Sequence, residues 1–255
     1  MNKPDFSEYT LQHYVNLSII QQFVALNNRM PFSYIPSLRE EKKWGFDTVF
    51  IDPSSIDFSS NIQARSLFLQ YKLSNLHLGM DRTNYWGWGI PYFKFRLYNY
   101  PRDNSQYDQR RALIRLASRF LVLYASNGVL HLMDLYAMLR LGDLLKETPF
   151  FMVDDDMQNH DTVVFNVNRH ECFLHSEIKE SMMFDLKSNL QEIEPTSLDN
   201  DFEYIYNKVL DEEAREAYSR WLHFLSYNRL EKEPLKLLAI KLTLQSEYSI
   251  CWIRF

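Results

Sequence analysis

The stretch that most constrains the fold is Ser66-Leu67-Phe68-Leu69-Gln70-Tyr71-Lys72-Leu73. It is apolar and β-prone up to Leu69, then alternates polar and apolar. Side chains alternate across a strand, so Gln70 and Lys72 share one face and Tyr71 takes the other. A mostly buried strand must satisfy any polar group it carries, because an unpartnered buried amide or ammonium costs free energy. The run therefore calls for a sheet with polar partners beside its C-terminal end. The nearest upstream candidates are Gly45-Phe46-Asp47, leading into β-prone Thr48-Val49-Phe50-Ile51, and the acidic pair Glu40-Glu41.

Around this strand the pattern is mixed α/β. Leu11, Val15, Ile19, Phe23 and Leu26 recur at helical spacing over 8–27, with Ser7 placed to cap the first turn. Pro31 and Pro36 interrupt regular structure, and Asp52-Pro53 ends the strand at 48–51. Tyr92–Tyr98 alternates as a strand. A helix is expected over 106–119, feeding a buried strand at Phe120–Tyr124. A second is expected over 129–146, with Leu130, Met133, Ala137, Leu141 and Leu144 on one face. Short strands follow near 150–153, 162–167 and 171–174. Residues 185–202 are polar and acidic and read as a loop or linker. Helices then occupy 202–226 and 234–245, before a last strand at 249–253. The expected organisation is a core of 1–184 with added strands, and a mostly helical C-terminal extension of 185–255 packed on it.

The bulk numbers exclude several classes. A chain of 255 residues with 46% hydrophobic and 24% charged residues can bury a substantial core. Only six glycines are present, and neither GxGxxG nor GxxxxGK[ST] occurs, which argues against a glycine-rich phosphate loop. The two cysteines, Cys172 and Cys251, do not make a disulfide scaffold. The opening Met1–Asp5 is polar, so no secretory leader is expected. No run of about 18 apolar residues occurs, so no membrane partner is expected and cytoplasm is the expected compartment. The net charge is -5 and the pI about 5.8, so any nucleic-acid contact must come from a local basic patch.

Asp47, Gln70 and Lys72 make the sharpest chemical proposal. A carboxylate, an amide oxygen and the Tyr71 backbone carbonyl are hard oxygen donors of the kind Mg²⁺ takes, with water completing its shell. Glu41 is a further candidate ligand. An ammonium at Lys72 would stand next to a metal-activated water. This pattern resembles the PD-(D/E)XK nuclease superfamily. Gly45-Phe46-Asp47 matches its acidic strand, and Gln70-Tyr71-Lys72 the QxK variant of its second signature. Pro36-Ser37-Leu38-Arg39-Glu40-Glu41 resembles the acidic turn that some members place before the acidic strand. The order of helix, strands, helix and strand over residues 7–125 also fits. The resemblance implies a restriction-endonuclease-like α/β fold: a mixed central sheet flanked by helices, here with a helical C-terminal extension. It implies Mg²⁺-dependent hydrolysis of DNA, with Mn²⁺ as a substitute, in a restriction or antiviral-defence setting. Asp47, Gln70, Lys72 and Glu41 would be the catalytic residues, and a second copy of the chain or a defence protein would be a partner. The rival from another class is a non-catalytic module that keeps the fold and binds nucleic acid or a protein.

Arg111, Arg115 and Arg119 recur every four residues and could track phosphates, as could Lys94 and Arg96 on their strand. Tyr85, Trp86 and Trp88 could stack on bases, although a core role is the simpler reading. His160, His170, Cys172 and His175 carry ligand chemistry but no CxxC or HExxH spacing, so they read as core or surface residues. Asp154-Asp155-Asp156 reads as a charged turn.

Overall fold

The computed structural model describes residues 2–27, 32–34, 49–51, 63–78, 91–97, 104–155, 157, 160–166, 171–175, 179–189, 195–226, 232–248 and 250–254. In chain order the first half gives α1 (Glu8–Asn27), β1 (Phe32–Tyr34), β2 (Val49–Ile51), β3 (Gln63–Lys72), β4 (Asn75–His77), β5 (Tyr92–Arg96), α2 (Asn104–Ala117) and β6 (Leu121–Ser126). There follow α3 (Leu132–Leu141), α4 (Leu144–Glu147), β7 (Phe150–Met152), β8 (Thr162–Asn166), β9 (Glu171–His175) and β10 (Lys179–Met182). The last stretch gives α5 (Leu186–Asn189), β11 (Pro195–Ser197), α6 (Leu198–Tyr204), a π-helical turn (Ile205–Val209), α7 (Glu212–Ser226), α8 (Lys232–Tyr248) and β12 (Cys251–Arg254). The chain is mixed α/β, and it divides into two compact units, each drawn from three stretches of sequence. One comprises Met1–Gln22, Tyr71–Asp103 and Leu123–Leu190; the other comprises Phe23–Gln70, Asn104–Val122 and Gln191–Phe255.

The first unit holds a five-stranded antiparallel sheet in the order β10-β9-β8-β5-β4. Its core is aromatic. The Phe95 ring lies 5.6 Å from Phe151 and 6.0 Å from Tyr124, and Phe151 lies 5.0 Å from Phe165. Tilted rings at such distances add to their area burial. α1 starts where the sequence places it: Ser7 Oγ accepts the Thr10 amide at 3.1 Å, and Leu11, Val15 and Ile19 are buried.

In the second unit β3 pairs antiparallel with β11 over Gln63–Arg65 and with β12 over Ser66–Leu69. β2 pairs antiparallel with β1 and lies against β12. α7 and α8 pack on one another, and α8 also packs on α2. Phe68 of β3 meets Phe120 at 5.0 Å, which seats the strand against the end of the α2 segment. Asp211 caps α7 by accepting the Ala214 amide at 2.9 Å.

The elements depart from the sequence reading in several places, one being the helix expected over 202–226, which is interrupted at Leu210 and Asp211 between the π-helical turn and α7. The helix expected over 129–146 breaks after Leu141, because Gly142 takes a left-handed φ of 74°. The Gly142 and Asp143 amides then close back on Leu139 and Met138 carbonyls at 3.1 and 3.0 Å. The face expected to be core is also turned outward: Met133 is 70% and Leu141 76% exposed, while Leu135 is buried. Residues 185–202 are not a plain loop. α5 is capped by Asp185, whose carboxylate accepts the Ser188 amide and hydroxyl, and β11 is held by pairing to β3. Tertiary pairing there overrides a weakly structured local sequence. Finally, among the described residues β2 is not paired with β3; Asp47 itself lies outside the described residues. β2 takes β1 as its partner, and the apolar Cys251-Trp252-Ile253 run occupies Ser66–Leu69.

Candidate functional site

Gln70 lies within β3 and is 1% exposed, so its amide is a buried polar group as the alternation requires. It belongs to the second unit; the boundary between the units falls directly after it. In the first unit Tyr71 is buried, and its hydroxyl donates to Asn16 Oδ1 of α1 at 2.7 Å. The Lys72 carbonyl accepts the Ser126 hydroxyl at 2.7 Å. Just beyond, the Ser74 amide donates to Asn127 Oδ1 at 2.7 Å, and the Ser74 hydroxyl to the Asn127 carbonyl at 2.9 Å. Asn127 Nδ2 donates in turn to the Ser74 and Val129 carbonyls at 3.2 and 2.9 Å. The end of β3 is thus fixed by polar contacts that leave its backbone little freedom.

The Lys72 side chain is half-buried and within electrostatic reach of Glu8, in the first turn of α1. Burial pushes the Lys72 ammonium down from its ordinary value, and the Glu8 charge opposes that shift. Burial pushes the Glu8 carboxyl up; the Lys72 charge and a hydrogen bond from the Leu73 amide pull it back. Desolvation is the larger cause in both groups. The pair is a partly desolvated cation and anion, each restraining the other's tendency to neutralise. Sequence reasoning missed Glu8. Its only local signal is an acidic residue after a capping serine, which reads as an ordinary response to the helix dipole.

The second unit holds a separate buried polar cluster. Asp201 of α6 is fully buried, accepts the Ser66 hydroxyl at 2.8 Å and faces Arg119 Nη2 at 3.7 Å. Arg119 also lies over the Tyr204 ring, 5.2 Å from its centroid. A buried carboxylate held in this way braces β3 at Ser66.

The remaining expected residues divide clearly. Asp47, Glu41 and Glu40 lie outside the described residues, as do Tyr85, Trp86, Trp88 and His170. Arg111 and Arg115 are exposed on α2, and Arg115 Nη1 donates to the Val209 carbonyl at 3.3 Å. Arg119 falls past the end of α2, in the turn before β6, and is occupied by Asp201, so the three arginines are not one helical stripe. Lys94 is half-buried and Arg96 exposed, both on β5. His160 and Cys172 are buried. Asp154 accepts the Met157 amide at 3.0 Å, as a charged turn would.

Among the described residues no group of three or more His, Cys, Asp or Glu is placed to hold a metal, and no helix is long and apolar enough to cross a membrane. Protein-family models, curated proteins and solved structures all return no match to this chain.

Proposed function

We propose that this chain is a metal-dependent nuclease that hydrolyses DNA phosphodiester bonds, in the restriction or antiviral setting its motifs imply. The observation that carries the reading is the end of β3: a buried Gln70 followed, two residues on, by a half-buried Lys72 whose ammonium is pushed down by desolvation. A desolvated lysine is the form suited to orienting or deprotonating a water at neutral pH. In chain order α1, β1, β2, β3, β4, β5, α2 and β6 run as helix, strands, helix and strand, the order the resemblance implies over residues 7–125.

The donor set suits a hard cation. The Gln70 amide oxygen and the Tyr71 carbonyl, with the Asp47 and Glu41 carboxylates, would hold Mg²⁺ or Mn²⁺. Such an ion supplies stabilisation of charge on the phosphate and acidifies water. The chain's own residues do the rest. Lys72 holds or moves the proton of the attacking water, and Glu8 sets how readily it gives that proton up. The Tyr71–Asn16 and Ser126–Lys72 hydrogen bonds fix the backbone that carries the lysine. Arg111, Lys94 and Arg96 are the basic residues for backbone contacts, with Arg115 beside Arg111 on α2; local charge is needed because the net charge is -5.

A second reading rests on Gln70 itself. An amide where a carboxylate would bring negative charge weakens the hold on a cation, and favours a module that binds DNA or a protein without cutting.

The deciding experiment incubates the purified chain with supercoiled and linear DNA in Mg²⁺, Mn²⁺ or chelator. The expected result is metal-dependent cleavage, lost in Lys72→Ala with metal binding retained, and lost together with metal binding in Asp47→Ala. Cleavage by Lys72→Ala at the wild-type rate would sink the mechanism. DNA binding with no cleavage under any metal would select the binding module.

A further inference from the structure

The segment before α1 is fastened at both of its ends. At Asn2 it forms an antiparallel bridge to β4: the Asn2 amide donates to the Leu76 carbonyl at 2.8 Å, and the Leu76 amide to the Asn2 carbonyl at 2.9 Å. β4 is an edge strand of the five-stranded sheet, so this bridge covers backbone groups that an open edge would offer to another chain. At Asp5 the segment meets the start of α3. The Asp5 amide donates to the Leu130 carbonyl at 3.0 Å, its Oδ1 accepts the Leu132 amide at 2.7 Å, and its Oδ2 lies 3.2 Å from His131 Nδ1. His131 holds the cap position of α3, yet its own side chain makes no capping hydrogen bond. The capping carboxylate comes instead from Asp5, outside the helix.

The contact at Asp5 is open to solvent: the Asp5 and His131 side chains are 55% and 71% exposed, so bulk pH acts on the imidazole directly. The titratable groups on the elements that meet here are Lys3 on the segment, Glu8 and His13 on α1, His77 on β4 and Asp134 on α3. Among the described residues the one ion pair that Asp5 makes is with His131, while Glu8 is engaged by the Leu73 amide and the Lys72 charge. The Leu132 amide, and after it the His131 contact, holds the Asp5 carboxyl below its ordinary 3.8. Asp5 therefore stays an anion from pH about 5 to about 8, the range in which histidine is the side chain that ordinarily changes charge. An imidazolium alone at a helix start is repelled by the positive end of the helix dipole. With Asp5 against it, the same proton turns a hydrogen bond into an ion pair and draws the segment in. We propose that Asp5 and His131 form a proton-sensitive clasp, which fastens the Asn2–Asp5 segment over the β4 edge and tightens as His131 takes up its proton. The inference is independent of the nuclease reading.

Hydrogen exchange on the full chain tests it, read as protection factors: the rate at each amide against that of an unstructured peptide at the same pH. The reporters are the Leu76 amide, held by Asn2, and the Leu135 amide, which donates to the His131 carbonyl at 3.2 Å. On going from pH about 7.5 to about 5.5, protection at both should rise, at Leu76 by about two- to fivefold, the scale of an exposed ion pair. His131→Gln keeps a polar side chain that cannot be charged, and its Leu76 protection should be the same at both pH values. Because His13 and His77 remain in that variant, a flat response also removes them as the cause. Asp5→Asn keeps an oxygen for the Leu132 amide but not the anion. There the lone imidazolium faces the helix dipole, and acidification should lower Leu135 protection, reversing the wild-type sign. Circular dichroism checks that both surface variants stay folded. Flat Leu76 protection in the wild type across this range would overturn the proposal, as would a rise of the same size in His131→Gln. So would Leu135 protection that still rises on acidification in Asp5→Asn, since the proton would then be acting elsewhere.

Discussion

Replacing Lys72 with Met tests the desolvated pair directly. Met keeps most of the aliphatic stem that packs at the end of β3 and removes only the charge. It leaves the Glu8 carboxylate in a poorly solvated site with the Leu73 amide as its remaining support. Stranding a fully buried ion costs about 3–5 kcal/mol. Both groups here are half-buried and screened by solvent, so the expected loss at neutral pH is about 1–3 kcal/mol. The sign must change with pH. Burial already raises the Glu8 carboxyl above its ordinary 4.5, and removal of the lysine raises it further. Such a group contributes stability that is fully present below its unfolded value and is lost as pH rises through the folded one. At pH about 4, then, Glu8 is largely neutral, the wild type carries a desolvated ammonium that has lost the Glu8 counter-charge, and Lys72→Met should be neutral or stabilising. The penalty should open as pH rises past the raised carboxyl value and then stay level through neutrality. Glu8→Gln is the converse: it removes the Glu8 charge that favours the desolvated ammonium at neutral pH, and stability should recover as pH climbs toward the ordinary lysine value of 10.5. The double variant should return to within about 1 kcal/mol of wild type. Urea unfolding of all four proteins at acid, neutral and alkaline pH measures this as a double-mutant cycle. A Lys72→Met penalty equal at pH about 4 and about 7, or a double variant as weak as the two singles summed, would refute the reasoning.

Three further outcomes follow from other contacts. Asp201→Ala should cost about 2–4 kcal/mol in urea unfolding, since it leaves the buried Ser66 hydroxyl without its acceptor and removes the partner of Arg119; Asp201→Asn, which keeps an acceptor, should cost about half as much. Asp5 accepts the Leu132 amide at 2.7 Å, which holds its carboxyl below the ordinary range, so Asp5→Ala should speed hydrogen exchange at Leu132. The wild-type protection should be lost only as pH falls below 3.8. Gly142→Ala meets no atom within 4 Å but is forced to a φ of +74°, so thermal denaturation should show a loss of about 1–2 kcal/mol from backbone strain alone.

How much of this was legible in the sequence depends on whether the cause was local. Ser7 and the Leu11–Val15–Ile19 spacing announced α1 because a cap and a stripe are both encoded within one helix. β3, α2 and β6 were legible for similar reasons of period and length, whereas the helix expected over 202–226 is broken at Leu210 and Asp211 into the π-helical turn and α7. The 129–146 segment misled because periodicity reports that a helix has an apolar face, not that the face is covered. Leu130, Met133, Ala137 and Leu141 match a core stripe as well as they match an outward face, and only packing around Leu135 decides between them. Gly142 was visible, but a glycine within a helical pattern is a break only if the chain takes the left-handed turn there. β11 carries no strand signal at all, since Pro195-Thr196-Ser197 becomes a strand only because β3 offers it pairing groups.

At the candidate site, strand alternation was enough to expect a buried polar group at Gln70, and Gln70 is buried, while Lys72 is half-buried in the first unit. It could not name the partner of the lysine. Asp47 and Glu41 stood out because acidic residues near β-prone runs attract attention, whereas Glu8 was absorbed into the explanation of a helix start. Yet a charge that acts on Lys72 in the first unit is that of Glu8, in the first turn of α1 and far upstream in sequence. This bears on the chemistry proposed for the lysine. Desolvation favours its neutral, proton-accepting form, while Glu8 favours the ammonium, and the two effects differ in range and in response to solvent. Anything that admits water at the end of β3 would weaken both at once, and anything that excludes it would strengthen both. The balance between desolvation and the Glu8 charge at Lys72 is therefore set by how much water reaches the end of β3.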